Sequence, residues 1–232
     1  MIDPNKITNF ERSMPELEEF MLFAIMVAGK TAKTTAKKLE AFLERRKAHG
    51  ATDFSPLQFV NYLERDRTLL LQELEEIKVG QYVRIARAFS GVLRFFGPKL
   101  RTVTVDELET VHGIGPKTAR FFVLHSRPGE NYAVLDTHVM RWLKEFCMFK
   151  CPYDVPPDVN SYKRVEKIFL DVAKALGKTP AELDLEVWTN RENSSELTRI
   201  AEPYVTPRLK SPRYANVLEN FSNLFKNDLR TT

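Results

Sequence analysis

The stretch VDELETVHGIGPKTARFFVLHSRPGENYAVLDTHVMRWLKEF, Val105 to Phe146, decides how the chain is read. Leu108 and Val111 share one face of a short first helix, and Ala119, Phe122 and Val123 share one face of a second, so two short helices can pack across the turn between them. That turn is Gly113-Ile114-Gly115. Its glycines permit unusual backbone angles and close approach of another chain, while Ile114 is placed to plug the hairpin into the core. Pro116 suits the first turn of a helix, where its missing amide hydrogen is not needed. Backbone amides at that helix start, beside glycines with no side chain in the way, form a phosphate site that reads no base sequence. An ordinary helix-turn-helix corner is the plain alternative.

Two side chains on the same stretch carry chemistry. Lys117 lies in the first turn of the second helix, where the helix dipole disfavours the ammonium; partial desolvation would help further to supply a neutral amine nucleophile. Asp136 follows after one helix and a Ser-Arg-Pro-Gly-Glu-Asn loop, immediately before a third helical pattern of Val139, Met140, Leu143 and Phe146. The positive end of that helix favours an ionised carboxylate. A carboxylate there can stabilise positive charge that develops beside it. Each residue has a simpler role open to it: Lys117 as a phosphate contact, Asp136 as a helix N-cap.

VHGIGPKTARFFVL followed by VLDTHVMRWL resembles the helix-hairpin-helix, Gly/Pro-rich loop and aspartate signature of the DNA glycosylase superfamily that includes endonuclease III and the 8-oxoguanine glycosylases. The similarity is densest from Gly80 to Phe146. It implies an all-α fold of two helical lobes with DNA in the cleft between them. The central lobe would take residues 30–130, with the helix-hairpin-helix at 105–126, and the second lobe residues 1–29 and 131–232. It implies that Lys117 marks a bifunctional enzyme, which removes the base and then nicks the strand, and that Asp136 is the catalytic carboxylate. Gly113, Ile114, Gly115, Thr118 and His138 are the implied DNA contacts around these two. The Gly80-Gln81-Tyr82 turn resembles the loop that wedges a side chain into the duplex beside an extruded nucleotide, which makes Gln81 and Tyr82 wedge candidates, although a tyrosine opening a helix also serves packing. At the junction Val27-Ala28-Gly29-Lys30 the glutamine or asparagine often found in the superfamily is absent.

The expected function is therefore excision of a damaged, oxidised base through a lysine Schiff base, followed by β-elimination, in base excision repair. A monofunctional glycosylase for alkylated or mismatched bases and a non-catalytic helix-hairpin-helix DNA-binding protein are the alternatives. The partner expected is double-stranded DNA containing a damaged base, bound by a monomer.

The rest of the chain agrees with this assignment without adding to it. A net charge of +4 over 232 residues is compatible with a phosphate partner. The N-terminal MIDPNKITNFERSMPELEEF is acidic and polar where a signal peptide would be basic then apolar, so a cytoplasmic or nucleoid-associated location is expected. FMLFAIMVAG is too short to span a bilayer and predicts a buried helix, N-capped by Ser13 with Pro15 in its first turn. A basic helix is predicted from Lys30, with Lys33, Lys37 and Lys38 beside Leu39, Phe42 and Leu43, and two short helices over 55–64 and 67–76. Val83, Ala86, Phe89 and Val92 or Leu93 suggest the buried face of the next helix. Val165, Ile168, Phe169, Val172 and Leu176 share a face of an amphipathic helix closed by Gly177, and Thr179 caps another helix carrying Leu183 and Trp188. Endonuclease III-like enzymes often hold an iron-sulfur cluster on four cysteines. Cys147 and Cys151 alone are too few, so neither metal nor cofactor is expected. The tail from Ala201 carries Pro203, Pro207 and Pro212 before an amphipathic piece, and it could cover the core or touch DNA.

Overall fold

A computed structural model of the chain describes residues 2–66, 68–146, 154–156 and 158–189. Among them there are ten α-helices and no strand. They divide into two compact units, one ending at Val134 and the other beginning at Leu135. Cys147, Cys151 and the proline-containing tail lie outside the described residues.

The first unit is built around α1 (Met14–Val27). Phe20 to Met26 are each at most 1% exposed. A helix buried on every side has to be surrounded, and α1 packs against α2 (Ala32–Glu44), α3 (Pro56–Leu63), α5 (Tyr82–Phe96) and α7 (Pro116–Ser126). Its start follows the predicted chemistry: the Glu16 carboxylate accepts hydrogen bonds from the backbone amide and the hydroxyl of Ser13, and Pro15 sits in the first turn. Phe20 stacks on Phe122 of α7 at 5.6 Å and meets Phe121 edge-on at 5.5 Å. Phe42, Phe59 and Phe89 join α2, α3 and α5. Each such ring is worth roughly 1.5–3 kcal/mol of burial, so this aromatic seam outweighs any single polar contact in the unit.

Ahead of α1, the buried Arg12 guanidinium donates to the carbonyls of Ile7, Asn9 and His125 and lies 4.0 Å over the Phe20 ring. Burial lowers its pKa to about 10, so it stays protonated at neutral pH and fastens the N-terminal segment to the end of α7.

The short helices α3 and α4 (Leu69–Glu76) stand where the sequence predicts them. Helix α5 corrects one expectation. Ile85, Ala88, Phe89, Val92 and Phe96 are buried, whereas Val83 is 55% exposed and Ala86 only half-buried. Both sets of positions fit a 3.6-residue period, and long-range contacts choose between them. Arg84 is anchored inward, and Gly91 lies so close to the hairpin that an added Cβ would come within 2.5 Å of Val111 Cγ1. Those two contacts turn Val83 outward.

After α5 come α6 (Val105–Glu109) and α7, packed on each other across the hairpin. The Thr104–Glu107 capping box starts α6.

The second unit contains α8 (Thr137–Phe146), α9 (Val159–Leu176) and α10 (Pro180–Thr189). Val139, Met140 and Leu143 are buried on α8, and Trp142 meets Phe169 of α9 edge-on at 6.3 Å. The predicted face of α9 is buried at Val165, Ile168, Phe169 and Val172, while Leu176 is half-buried beside the left-handed Gly177. Leu183 is buried on α10 and Trp188 half-buried. No described helix is long and apolar enough to cross a membrane.

Candidate nucleic-acid interface and catalytic residues

The hairpin between α6 and α7 separates the roles of its two glycines. Gly113 has φ +91, and a Cβ there would stand 2.9 Å from the Arg84 carbonyl oxygen and 3.0 Å from Arg84 Cγ. Only glycine fits both the angle and the approach to α5. Gly115 is different. At φ −98 and ψ 178 it has ordinary extended backbone, and nothing lies within 4 Å of where its Cβ would be. The conformational need expected of both glycines therefore holds at Gly113 alone, while Gly115 leaves open space at the start of α7. Ile114 is 4% exposed and fills the core, as its place in the turn predicts.

Gly115 is the N-cap of α7 and Pro116 its first residue. The first intrahelical bond runs from the Ala119 amide to the Gly115 carbonyl, so the amides of Lys117 and Thr118 lie outside the helix's own ladder, at its positive end. Lys117 is partly exposed. Thr118 is buried.

Near the start of α5 the backbone is unusual. Lys78 and Gln81 have φ of +51 and +53, with Gly80 at +72 between them. Left-handed backbone at non-glycine residues is strained and persists only where the surroundings hold it. Here Lys38 donates to the Lys78 carbonyl, and Lys30 Nζ donates to the carbonyls of Met26 at 3.1 Å and Gly80 at 3.5 Å. Gln81 is exposed and Tyr82 half-buried. Lys30 and Arg84 also supply donors to the last carbonyls of α1, those of Met26 and Ile25, where a helix end needs them. These three cations escape sequence reasoning because their partners are backbone carbonyls up to 59 positions away, which leave no trace in residue type.

Burial, and then repulsion from Arg84 and Lys38, lower the Lys30 pKa to about 8. A folded-state pKa below the unfolded one means that the unfolded chain holds more protons between the two values, so stability rises with pH across that window. Relative to Lys30→Met, the wild type is expected to gain stability as pH rises from about 8 towards the ordinary lysine value of 10.5. Denaturant midpoints measured in steps across that range check this.

Asp136 and His138 belong to the second unit, at the head of α8. Asp136 Oδ1 accepts from the amides of His138 at 2.8 Å and Val139 at 2.9 Å, while the Asp136 carbonyl receives the Met140 amide at 2.8 Å. The carboxylate is therefore an N-cap, which fixes its orientation. His138 is half-buried, and its Nδ1 is shielded from solvent with no hydrogen-bond partner among the described residues. The hairpin, Lys117, Gln81 and Tyr82 are thus gathered in one unit, and Asp136 and His138 in the other.

At residues 98–120 the chain matches the family model of the helix-hairpin-helix motif. Its fold is that of the 8-oxoguanine DNA glycosylases. The crystal structure of the 8-oxoguanine DNA glycosylase of Methanocaldococcus jannaschii aligns over 80% of this chain and 83% of its own, with a TM-score of 0.58 and 21% identity. The same archaeal glycosylase/lyase in complex with a 15mer DNA containing 8-oxoguanine aligns over 82% and 87%, with a TM-score of 0.59 and 20% identity. In sequence, the 8-oxoguanine DNA glycosylase/AP lyase of Thermoplasma volcanium is 33% identical over 81 residues, 35% of this chain and 37% of that protein. That of Thermotoga maritima is 36% identical over 78 residues, 33% and 36% of the two chains. The match thus spans little more than a third of the length of these curated relatives.

Proposed function

We propose that the chain is a bifunctional DNA glycosylase and AP lyase that excises an oxidised base, 8-oxoguanine first among them, from double-stranded DNA. The observation that carries this is the Gly113–Lys117 hairpin, an open helix start with a lysine in its first turn, on a fold shared with 8-oxoguanine glycosylases. The amides at the start of α7 hold a phosphate next to the lesion, and the dipole of α7 adds to the attraction. Gln81 and Tyr82 fill part of the space left in the base stack, and His138 meets the backbone of the extruded nucleotide.

In the chemistry proposed, the neutral Lys117 amine attacks C1′ and the C1′–N bond breaks, its electron pair and a proton going to the departing base. Asp136 as carboxylate stabilises the positive charge that builds on the sugar. Opening of the sugar ring leaves an imine between C1′ and Lys117 Nζ. Loss of a C2′ proton then expels the 3′ phosphate, and water releases the lysine. No metal or cofactor enters this sequence. The chain acts as a single copy on one lesion.

The test is a set of duplexes carrying 8-oxoguanine, thymine glycol, uracil or a preformed abasic site, with free base and strand cleavage measured separately. Free 8-oxoguanine together with a nicked strand is the expected result. Release without cleavage assigns Lys117 to a phosphate instead, and DNA binding with no release from any duplex contradicts a glycosylase.

A further inference from the structure

Arg84 uses all three nitrogens of its guanidinium on three separate segments of the first unit. Nη1 donates to the Gly113 carbonyl of the hairpin at 2.8 Å, and Nη2 to the Ile25 carbonyl at the end of α1 at 2.9 Å. Nε donates to Gln81 Oε1 at 2.7 Å. A second observation marks the same junction, since the backbone and Cγ of Arg84 are what a side chain at position 113 would strike. Guanidinium is a rigid planar fork, so three bonds from one group fix the relative positions of their acceptors in a way that an ammonium on a flexible stem does not.

The contact to Gln81 goes beyond packing. Gln81 is exposed and left-handed, on a turn whose neighbouring carbonyls are held by Lys30 and Lys38. Arginine Nε can only donate, so the atom facing it is the amide oxygen, and the amide nitrogen with its two hydrogens is presented away from Arg84. A tethered, outward-facing donor pair suits the acceptor edge of a base whose partner has left the stack.

We propose that Arg84 is a positioning residue that ties the hairpin's grip on a phosphate to the Gln81 amide entering the duplex, setting clamp and wedge at one fixed spacing. This rests on the glycosylase activity proposed above. The spacing matters most when a stacked base has to be extruded; at an abasic nucleotide the orphaned base opposite still meets Gln81, but no base has to be unstacked before the chemistry.

The experiment uses Arg84→Lys, Gln81→Ala and the double variant, with single-turnover rates at saturating protein on an 8-oxoguanine duplex and on the same duplex with a preformed abasic site. Each single variant is expected to slow base excision about tenfold and to slow abasic-site cleavage several-fold less, because extrusion is costly only for a stacked base. The double variant is expected to fall within about twofold of the slower single one, as for two residues acting through one contact. Equal losses on both substrates, which a merely structural role or a folding defect would give, overturn the inference. So do losses that multiply in the double variant, or no loss in Arg84→Lys. A wild type inactive on every duplex overturns the glycosylase assignment itself and this inference with it.

Discussion

Lys117→Ala is expected to abolish strand cleavage at an abasic site and to slow release of an oxidised base by roughly a thousandfold or more, the scale on which an enzyme loses its covalent nucleophile. Lys117 occupies the second position of α7, and its side chain is only partly covered, so the substitution removes an amine without opening a cavity. Thermal stability should therefore stay close to wild type and DNA affinity should fall by only a few-fold, since the hairpin amides remain. Single-turnover cleavage of an abasic duplex, with binding measured by anisotropy on the same DNA, separates the two quantities. A variant that still nicks at the wild-type rate would mean that the nucleophile lies elsewhere.

The second large effect is at Gly113. Gly113→Ala would place a methyl group on left-handed backbone, at φ +91 and 2.9 Å from the Arg84 carbonyl. Non-glycine residues cost about 1–2 kcal/mol in that region, and a clash with a backbone atom that cannot swing away adds a similar amount, for a total of roughly 2–4 kcal/mol. The expected result is a melting temperature lower by about 4–16 °C on the scaling for a chain of this size. DNA binding should be weakened even at temperatures where the variant is folded, because the hairpin is displaced from Arg84. Gly115→Ala provides the contrast: its backbone is extended and its surroundings open, so stability should hold while DNA binding weakens, the added methyl standing where a phosphate would approach. Calorimetry and binding on the two variants side by side check both expectations.

What the sequence discloses here is what local chemistry dictates. Ser13 with Pro15, and Pro116, announce helix starts within a few residues, and the structure contains both starts. Ile114 between two glycines has one sensible place to go, and it goes there. The rotation of α5 is another matter, because Phe89 and Val92 belong to both candidate faces, and the choice between Val83 and Ile85 depends on Arg84 and Gly91 meeting a hairpin far along the chain. The different behaviour of Gly113 and Gly115 was likewise invisible, since residue type does not report φ. Arg84, Lys30 and Lys38 are single basic residues in a chain with 35 lysines and arginines, and carbonyl acceptors carry no signature. Asp136 shows how two roles overlap: the hydrogen bonds that make it an N-cap of α8 also hold its carboxylate in one orientation, as the proposed chemistry requires.

The central claim is a covalent intermediate on Lys117, and borohydride reduction tests it most directly. Wild-type protein mixed with an 8-oxoguanine duplex in the presence of borohydride should yield a stable protein–DNA adduct, and peptide mapping should place it on Lys117. Lys117→Ala should give none, and Asp136→Asn should give far less from the damaged-base duplex while still trapping on a preformed abasic site. Base release with no adduct from the wild type, or an adduct that maps to another lysine, would contradict the account.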